Sequence, residues 1–195
     1  MKNVLYLFLI ISLKLYGQNE RCDCNITVYG DIHLTRNNDS ATLNNIYETQ
    51  QWLYQNIKEI IVVVEGMSQF GPITTDTVIS GILSEVFSRY GLIITKKEAL
   101  KLLKEESKFD VRARYILENK KIIFGGENDS LWRLFILNPY LTSIIENVDL
   151  RSASILKNTF KVCKIFPKSN IAIIIGRKHL AWFLNRGYKV FDRKK

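Results

Sequence analysis

Short apolar runs alternate with longer amphipathic stretches along this chain of 195 residues. Four runs of mostly β-branched residues predict buried strands, because strands covered on both faces are continuously apolar. Between them, apolar positions that recur every three or four residues predict helices. The strands are predicted at 26–29, 60–64, 121–124 and 171–175, with a last short strand at 188–191. The helices are predicted at 40–58, 75–90, 96–106, 111–118, 129–137, 141–160 and 180–186.

The alternation of strands and helices predicts an α/β fold with a mainly parallel central sheet flanked by helices. The stretch 66–119, between the second and third strands, is too long for one crossover. It therefore predicts a helical excursion over the carboxyl edge of the strands, where α/β proteins place their sites.

The first 17 residues predict a secretory signal peptide. Lys2 precedes a run of about ten apolar residues, and Gly17 offers a small residue for cleavage. The run is too short to span a bilayer comfortably. Residues 18–195 are then expected to form a single α/β domain of an exported, bacterial protein, periplasmic or secreted. We expect a membrane partner only if the signal remains uncleaved.

The charge of the chain is basic but dispersed. The formal net charge of +9 falls to +7 without the signal, because that segment carries two lysines and no acid. No nucleic-acid motif organises the remaining lysines and arginines, so nucleic acid is not an expected partner. A solvated basic surface that favours anionic partners is the simpler interpretation.

Three cysteines remain after the signal: Cys22, Cys24 and Cys163. Export permits a disulfide, and a bond between Cys22 and Cys24 would be strained. We therefore favour a bond between Cys163 and one of the other two, at the end of the sheet away from the histidines. A zinc site is the alternative, although no fourth ligand is evident.

The chain contains only two histidines, and both end a G-x-x-H tetrad just after a predicted strand. His33 follows the first strand and His179 the fourth. Asp31 also follows the first strand, Glu65 the second and Glu127 the third. Because the carboxyl ends of parallel strands meet at one edge of a sheet, we expect these five side chains to converge.

Two imidazoles and a carboxylate can hold a divalent ion and leave positions open for water and substrate. We assign His33, Glu65 and His179 as metal ligands, with manganese, cobalt or zinc as the candidate ion. Glu127 or Asp31 would act as the general base toward metal-bound water. Alternatively, Asp31 orients a neighbouring imidazole.

Taken in order, these motifs make the chain resemble the TraB/GumN/TIKI family, within the erythromycin-esterase and ChaN-like superfamily. The resemblance extends from about residue 26 to residue 191, but its specific part is a few short motifs. They are the first G-x-x-H tetrad, the strand end at 62–65, the Gly126–Glu127 turn, the segment 175–180 and the segment 184–190.

The resemblance implies a compact α/β domain and a metal-dependent hydrolase or protease that acts on a peptide or ester bond. Carried over by residue, it implies that His33 and His179 are metal ligands or catalytic groups and that Glu65 and Glu127 supply the carboxylates. The expected partner is then a peptide or a small-molecule substrate.

Two other functions remain open. A non-catalytic protein on the same fold could bind a peptide, a small ligand or haem, with Tyr29, His33 or His179 as the axial ligand of the haem iron. A surface interaction module with a vestigial site is the third class. Arg177 and Lys178 favour it, because two cations beside a metal-binding imidazole oppose cation binding unless their side chains point away.

Overall fold

The computed structural model describes residues 23–32, 40–66, 71–127 and 148–193. The strands are β1 (Asn25–Asp31), β2 (Ile61–Val64), β3 (Ile122–Gly125), β4 (Asn170–Gly176) and β5 (Lys189–Phe191). The helices are α1 (Ser40–Asn56), α2 (Thr75–Tyr90), α3 (Lys96–Glu106), α4 (Val111–Glu118), α5 (Val148–Ile165) and α6 (Leu180–Leu184), with a 3₁₀ turn at Arg177–His179. The predicted helix at 129–137, and the start of the one at 141–160, lie outside the described residues.

The strands form one parallel sheet in the order β3-β2-β4-β1-β5. The α/β fold predicted from the sequence is therefore confirmed. β4 returns to lie between β2 and β1, so β3, β2 and β4 are consecutive neighbours. Their carboxyl ends precede Glu127, Glu65 and His179, which places those three residues along one stretch of the same edge.

Alternate residues of the buried strands face opposite sides of the sheet, as the period of two requires. Ala172 and Ile174 belong to the core layer that α1, α3 and α4 cover. Ile171, Ile173 and Ile175 belong to the layer that α5 and α6 cover. Burial on both faces explains why these strands are continuously apolar.

The excursion between β2 and β3 consists of α2, α3 and α4. α4 packs against the first core layer through Val111, Ala113, Tyr115 and Ile116. Its first residue also reaches the carboxyl edge, where the Val111 amide donates to Gln50 Oε1 at 2.7 Å. The excursion therefore covers one face of the sheet and meets the predicted site with the beginning of α4.

Helix ends in the excursion follow from local capping chemistry. Thr95 and Glu98 form a capping box at the start of α3, and the Asp110 side chain caps α4. Gly91 ends α2 in the left-handed conformation, with φ of 66°.

Among the described helices, none combines the length and apolar character that a membrane span requires.

A disulfide joins Cys24, just before β1, to Cys163 in the last turn of α5. Of the two pairings that the sequence left open for Cys163, the structure contains the one with Cys24. Because Cys24 precedes β1, the bond lies at the amino end of the sheet, opposite the predicted site.

Candidate functional site

Glu65 is the first residue after β2 and is 5% exposed. Its amide donates to the Ile174 carbonyl at 3.0 Å, so the main chain stays in sheet register while the side chain leaves the strand end. Gly66 follows with φ of 82°, a conformation that favours glycine. The Gly176 amide at the end of β4 donates to Glu65 Oε2 at 2.6 Å and fixes the carboxylate over the neighbouring strand.

Glu127 follows β3 and is also buried. Gly126 permits its position, because a Cβ at Gly126 would lie 3.1 Å from the Val64 carbonyl oxygen. Asn158 on α5 donates from Nδ2 to the carbonyl oxygens of Gly126 and Glu127, at 3.0 and 3.1 Å. The turn is therefore held by the sheet on one side and by α5 on the other.

Arg151 in the first turns of α5 connects the two glutamates. Its Nη2 lies 2.5 Å from Glu65 Oε1 and also contacts Glu127 Oε1, which accepts from Nε at 3.0 Å. Burial lowers the pKa of Arg151, but the hydrogen bond to Glu127 and the charge of Glu65 outweigh burial and hold that pKa above its ordinary value. The guanidinium thus stays charged and balances carboxylates from two neighbouring strands.

His179 completes the cluster from the 3₁₀ turn after β4 and is 3% exposed. Its Nε2 lies 3.3 Å from Glu65 Oε1. Its Nδ1 lies 2.7 Å from Ser152 Oγ, and that oxygen lies 2.6 Å from the Val148 carbonyl oxygen.

The hydrogen bonds of Ser152 assign the tautomer of His179. A hydroxyl carries one hydrogen, and the Val148 carbonyl can only accept, so Ser152 Oγ donates to Val148. Oγ must then accept from Nδ1–H of His179. If the ring carries a single hydrogen, that hydrogen is on Nδ1, and the lone pair of Nε2 then faces the acceptor Oε1 of Glu65. Two acceptors that face each other are stabilised by a cation between them, either a proton or a metal ion.

Asp31 belongs to a separate group of contacts at the same edge. Gln50 Nε2 donates to Asp31 Oδ1 at 2.5 Å. Asp31 also lines a small pocket of about 160 Å³ together with Asp110 and Arg112. Arg112 links this pocket to the glutamate cluster, because its Nη1 donates to the backbone oxygen of Glu65 at 3.0 Å.

Arg177, one of the two cations beside His179, is directed away from the cluster. Arg177 pairs through Nε with Asp192 Oδ1 at 2.7 Å and donates from Nη2 to the Arg193 carbonyl at 2.9 Å. Lys178 is exposed. The orientation of Arg177, which the sequence left open, thus places its charge beyond the end of β5.

The structure brings together three of the five predicted site residues: Glu65, Glu127 and His179. Asp31 lies at the same edge in the neighbouring pocket. His33 lies outside the described residues, so its predicted role as a ligand stays a prediction. Sequence reasoning missed Arg151, Ser152 and Asn158 on α5, because a helix of mixed polar and apolar residues gave no sign of which turn meets the strand ends.

We compared the chain with family models, with curated proteins and with solved structures. None of them matches. The resemblance to the TraB/GumN/TIKI family therefore stays a prediction, and the function has to be argued from the geometry of the cluster.

Proposed function

We propose that this protein is a metal-dependent hydrolase whose centre is formed by Glu65 and His179. The observation that carries the proposal is the pairing of Nε2 of His179 with Oε1 of Glu65, at 3.3 Å, under a tautomer that Ser152 assigns. A hydrogen bond from the remote ring nitrogen is how proteins orient a metal-binding imidazole. The nitrogen and oxygen donors suit manganese, cobalt or zinc.

The donor set of the described residues fits a metal only in part. Among those residues, no group of three or more histidine, cysteine or carboxylate side chains is close enough to hold an ion. Glu65 and His179 supply two donors, and His33 is the proposed third. Arg151 Nη2 lies 2.5 Å from Glu65 Oε1, so a bound ion would have to share the Glu65 carboxylate with Arg151.

A bound divalent ion would supply an activated water molecule and polarise a carbonyl group. Glu127 is the better placed of the two proposed general bases, since it shares Arg151 with Glu65, while Asp31 lies in the adjacent pocket. Arg151 holds the two carboxylates close together through its ion pairs. Its side chain is 27% exposed, and this exposed part would bind an anionic group of the substrate. The proposed reaction is the hydrolysis of a peptide or ester bond.

A second candidate is a non-catalytic binding protein on the same fold, for a peptide, a small ligand or haem. The observation that favours it is the ion pairing of Arg151 with both glutamates, which already neutralises part of the carboxylate charge that a metal would need.

Turnover of fluorogenic peptides and nitrophenyl esters after metal loading tests the proposal. We expect activity that a chelator removes and added metal restores, and that falls about 100-fold or more in His179→Ala and Glu65→Gln. Glu85→Gln is the matched control, because Glu85 is an exposed carboxylate on α2 that pairs with Arg89. Metal binding without turnover of any substrate would favour the second candidate. Equal activity in all variants would overturn the proposal.

A further inference from the structure

The junction of α2 and α3 exposes an unusual concentration of large apolar side chains. Phe87 is 60% exposed, Tyr90 67%, Leu92 58% and Ile93 90%. We name this group, together with Arg89, Lys96 and Lys97, the apolar-basic tip. Single exposed apolar residues are ordinary on a protein surface, but here four lie within seven residues of the chain, and concentrations of exposed apolar side chains mark interaction sites.

The backbone of the tip is held in one shape by capping at both ends. The Gly91 amide donates to the Phe87 carbonyl at 2.9 Å and ends α2. Thr95 and Glu98 form the capping box that begins α3. The three-residue connection between the caps is therefore short and defined, and Leu92 and Ile93 lie on it.

Charge identifies the kind of partner that the tip fits. The segment 86–97 carries three basic residues and no acidic one. Of the flanking acids, Glu85 pairs with Arg89 at 2.9 Å, and Glu98 accepts hydrogen bonds from Thr95 and keeps its charge. Lys96 and Lys97 are exposed, three to five residues after Leu92 and Ile93 in the chain. The tip therefore presents exposed apolar side chains close in sequence to the positive charges of Lys96 and Lys97.

The lipid–water interface of a bilayer with acidic headgroups matches the tip, because it is anionic and also admits apolar side chains. Tyrosine and phenylalanine rings favour that boundary, and lysines bind headgroup phosphates. A second copy of this chain fits less well, because two basic tips would meet with like charges in a protein whose net charge is +9.

We propose that the apolar-basic tip binds the surface of an anionic lipid bilayer, with Leu92 and Ile93 inserted below the headgroups and Lys96 and Lys97 on their phosphates. This contact is peripheral, and it is independent of the membrane association that the N-terminal segment would provide. It is also independent of the proposed hydrolase centre, which lies at the strand ends.

Vesicle flotation of the full chain tests the proposal. We expect the wild type to bind vesicles of phosphatidylglycerol and phosphatidylcholine and to bind pure phosphatidylcholine about tenfold more weakly. The double variant Leu92→Ser/Ile93→Ser should lose about tenfold or more in partition to the acidic vesicles. Ile60→Ser is the matched control, because Ile60 is a similarly exposed apolar residue, 65%, outside the tip.

The charge variant Lys96→Glu/Lys97→Glu should also lose binding about tenfold or more. It should fold normally, because acidic residues are favourable in the first turn of a helix. The N-terminal segment is common to all variants, so any difference among them belongs to the tip. Equal binding by the wild type and both tip variants would overturn the proposal. So would a dimer, in sedimentation velocity, that the tip variants abolish while vesicle binding is absent.

Discussion

At the scale of single residues, the hydroxyl of Ser152 decides that Nδ1 of His179 carries a hydrogen, while Nε2 faces Glu65. Because Ser152 donates to the Val148 carbonyl, it can only accept from the imidazole. Glu65 in turn is fixed by the Gly176 amide and by Arg151. The chemistry of the candidate centre thus depends on side chains from α5 that hold the strand-end residues in place.

Ser152→Ala should lower the affinity for a divalent metal about 10- to 100-fold, because Nδ1 loses the partner that assigns the tautomer. It should also destabilise the fold by about 1–3 kcal/mol, since a buried ring N–H is left unsatisfied. Isothermal titration and chemical denaturation measure the two effects. Thr159→Val is the matched control: Thr159 is a buried hydroxyl on α5 that also bonds the carbonyl four residues back, away from the cluster. Equal metal affinity in both variants would contradict the tautomer argument.

Arg151→Met should lower the free energy of unfolding by about 2–3 kcal/mol at neutral pH, because two buried carboxylates lose their shared cation. The expected loss is smaller than for a fully buried pair, since the Arg151 side chain is 27% exposed. Adding Glu127→Gln should recover part of the loss, which a double-mutant cycle by urea denaturation would measure. Strict additivity of the two substitutions would show that the ion pair contributes nothing.

At the scale of elements, the sequence predicted α2, α3 and α4 with the bounds that the structure has. The ends of these helices are set by local contacts that can be read from the sequence: the side-chain caps at Thr95 and Asp110 and the left-handed Gly91. The predicted helix at 180–186 ends earlier, at Leu184. α5 continues to Ile165, five residues beyond its predicted end, with the disulfide and core contacts of Cys163 in its last turns.

The disulfide should contribute stability by closing a separation of 139 residues. Cys24→Ser should lower the free energy of unfolding by about 2–4 kcal/mol, measured by denaturation without reductant. Cys22→Ser is the control and should leave the transition unchanged. The opposite pattern, with Cys22→Ser as the destabilising change, would contradict the pairing found here.

The contact between α1 and α4 should make stability depend on acid pH. Burial raises the pKa of Glu118, but hydrogen bonds from Tyr54, Lys120 and Arg114 outweigh it and lower that pKa to about 2. A carboxylate with a lowered pKa stabilises the fold above its ordinary pKa of 4.5, and the contribution is lost as the pH falls toward 2.

Unfolding of Glu118→Gln across pH 2–6 measures this contribution. The variant should be less stable than the wild type at pH 6, and the difference should shrink as the pH falls below 4.5 toward 2. A difference that stays constant with pH would contradict the assignment.

At the scale of the whole molecule, the strand order explains how distant parts of the chain form one cluster. β3, β2 and β4 are neighbours, so Glu127, Glu65 and His179 meet although β4 follows β2 by more than 100 residues. The alternation of strands and helices predicted the shared edge, because parallel strands end together. It did not predict Arg151, since the face that α5 presents depends on packing between elements and not on a local motif.

Metal stoichiometry tests the central claim most directly. The full chain is loaded with manganese, cobalt or zinc at neutral pH, desalted and measured by mass spectrometry, beside His179→Ala, Glu65→Gln and the control Glu85→Gln. The account predicts about one equivalent of one of these metals in the wild type and the control, and none in folded His179→Ala or Glu65→Gln. A wild type that retains no metal, or site variants that retain as much as the wild type, would contradict it.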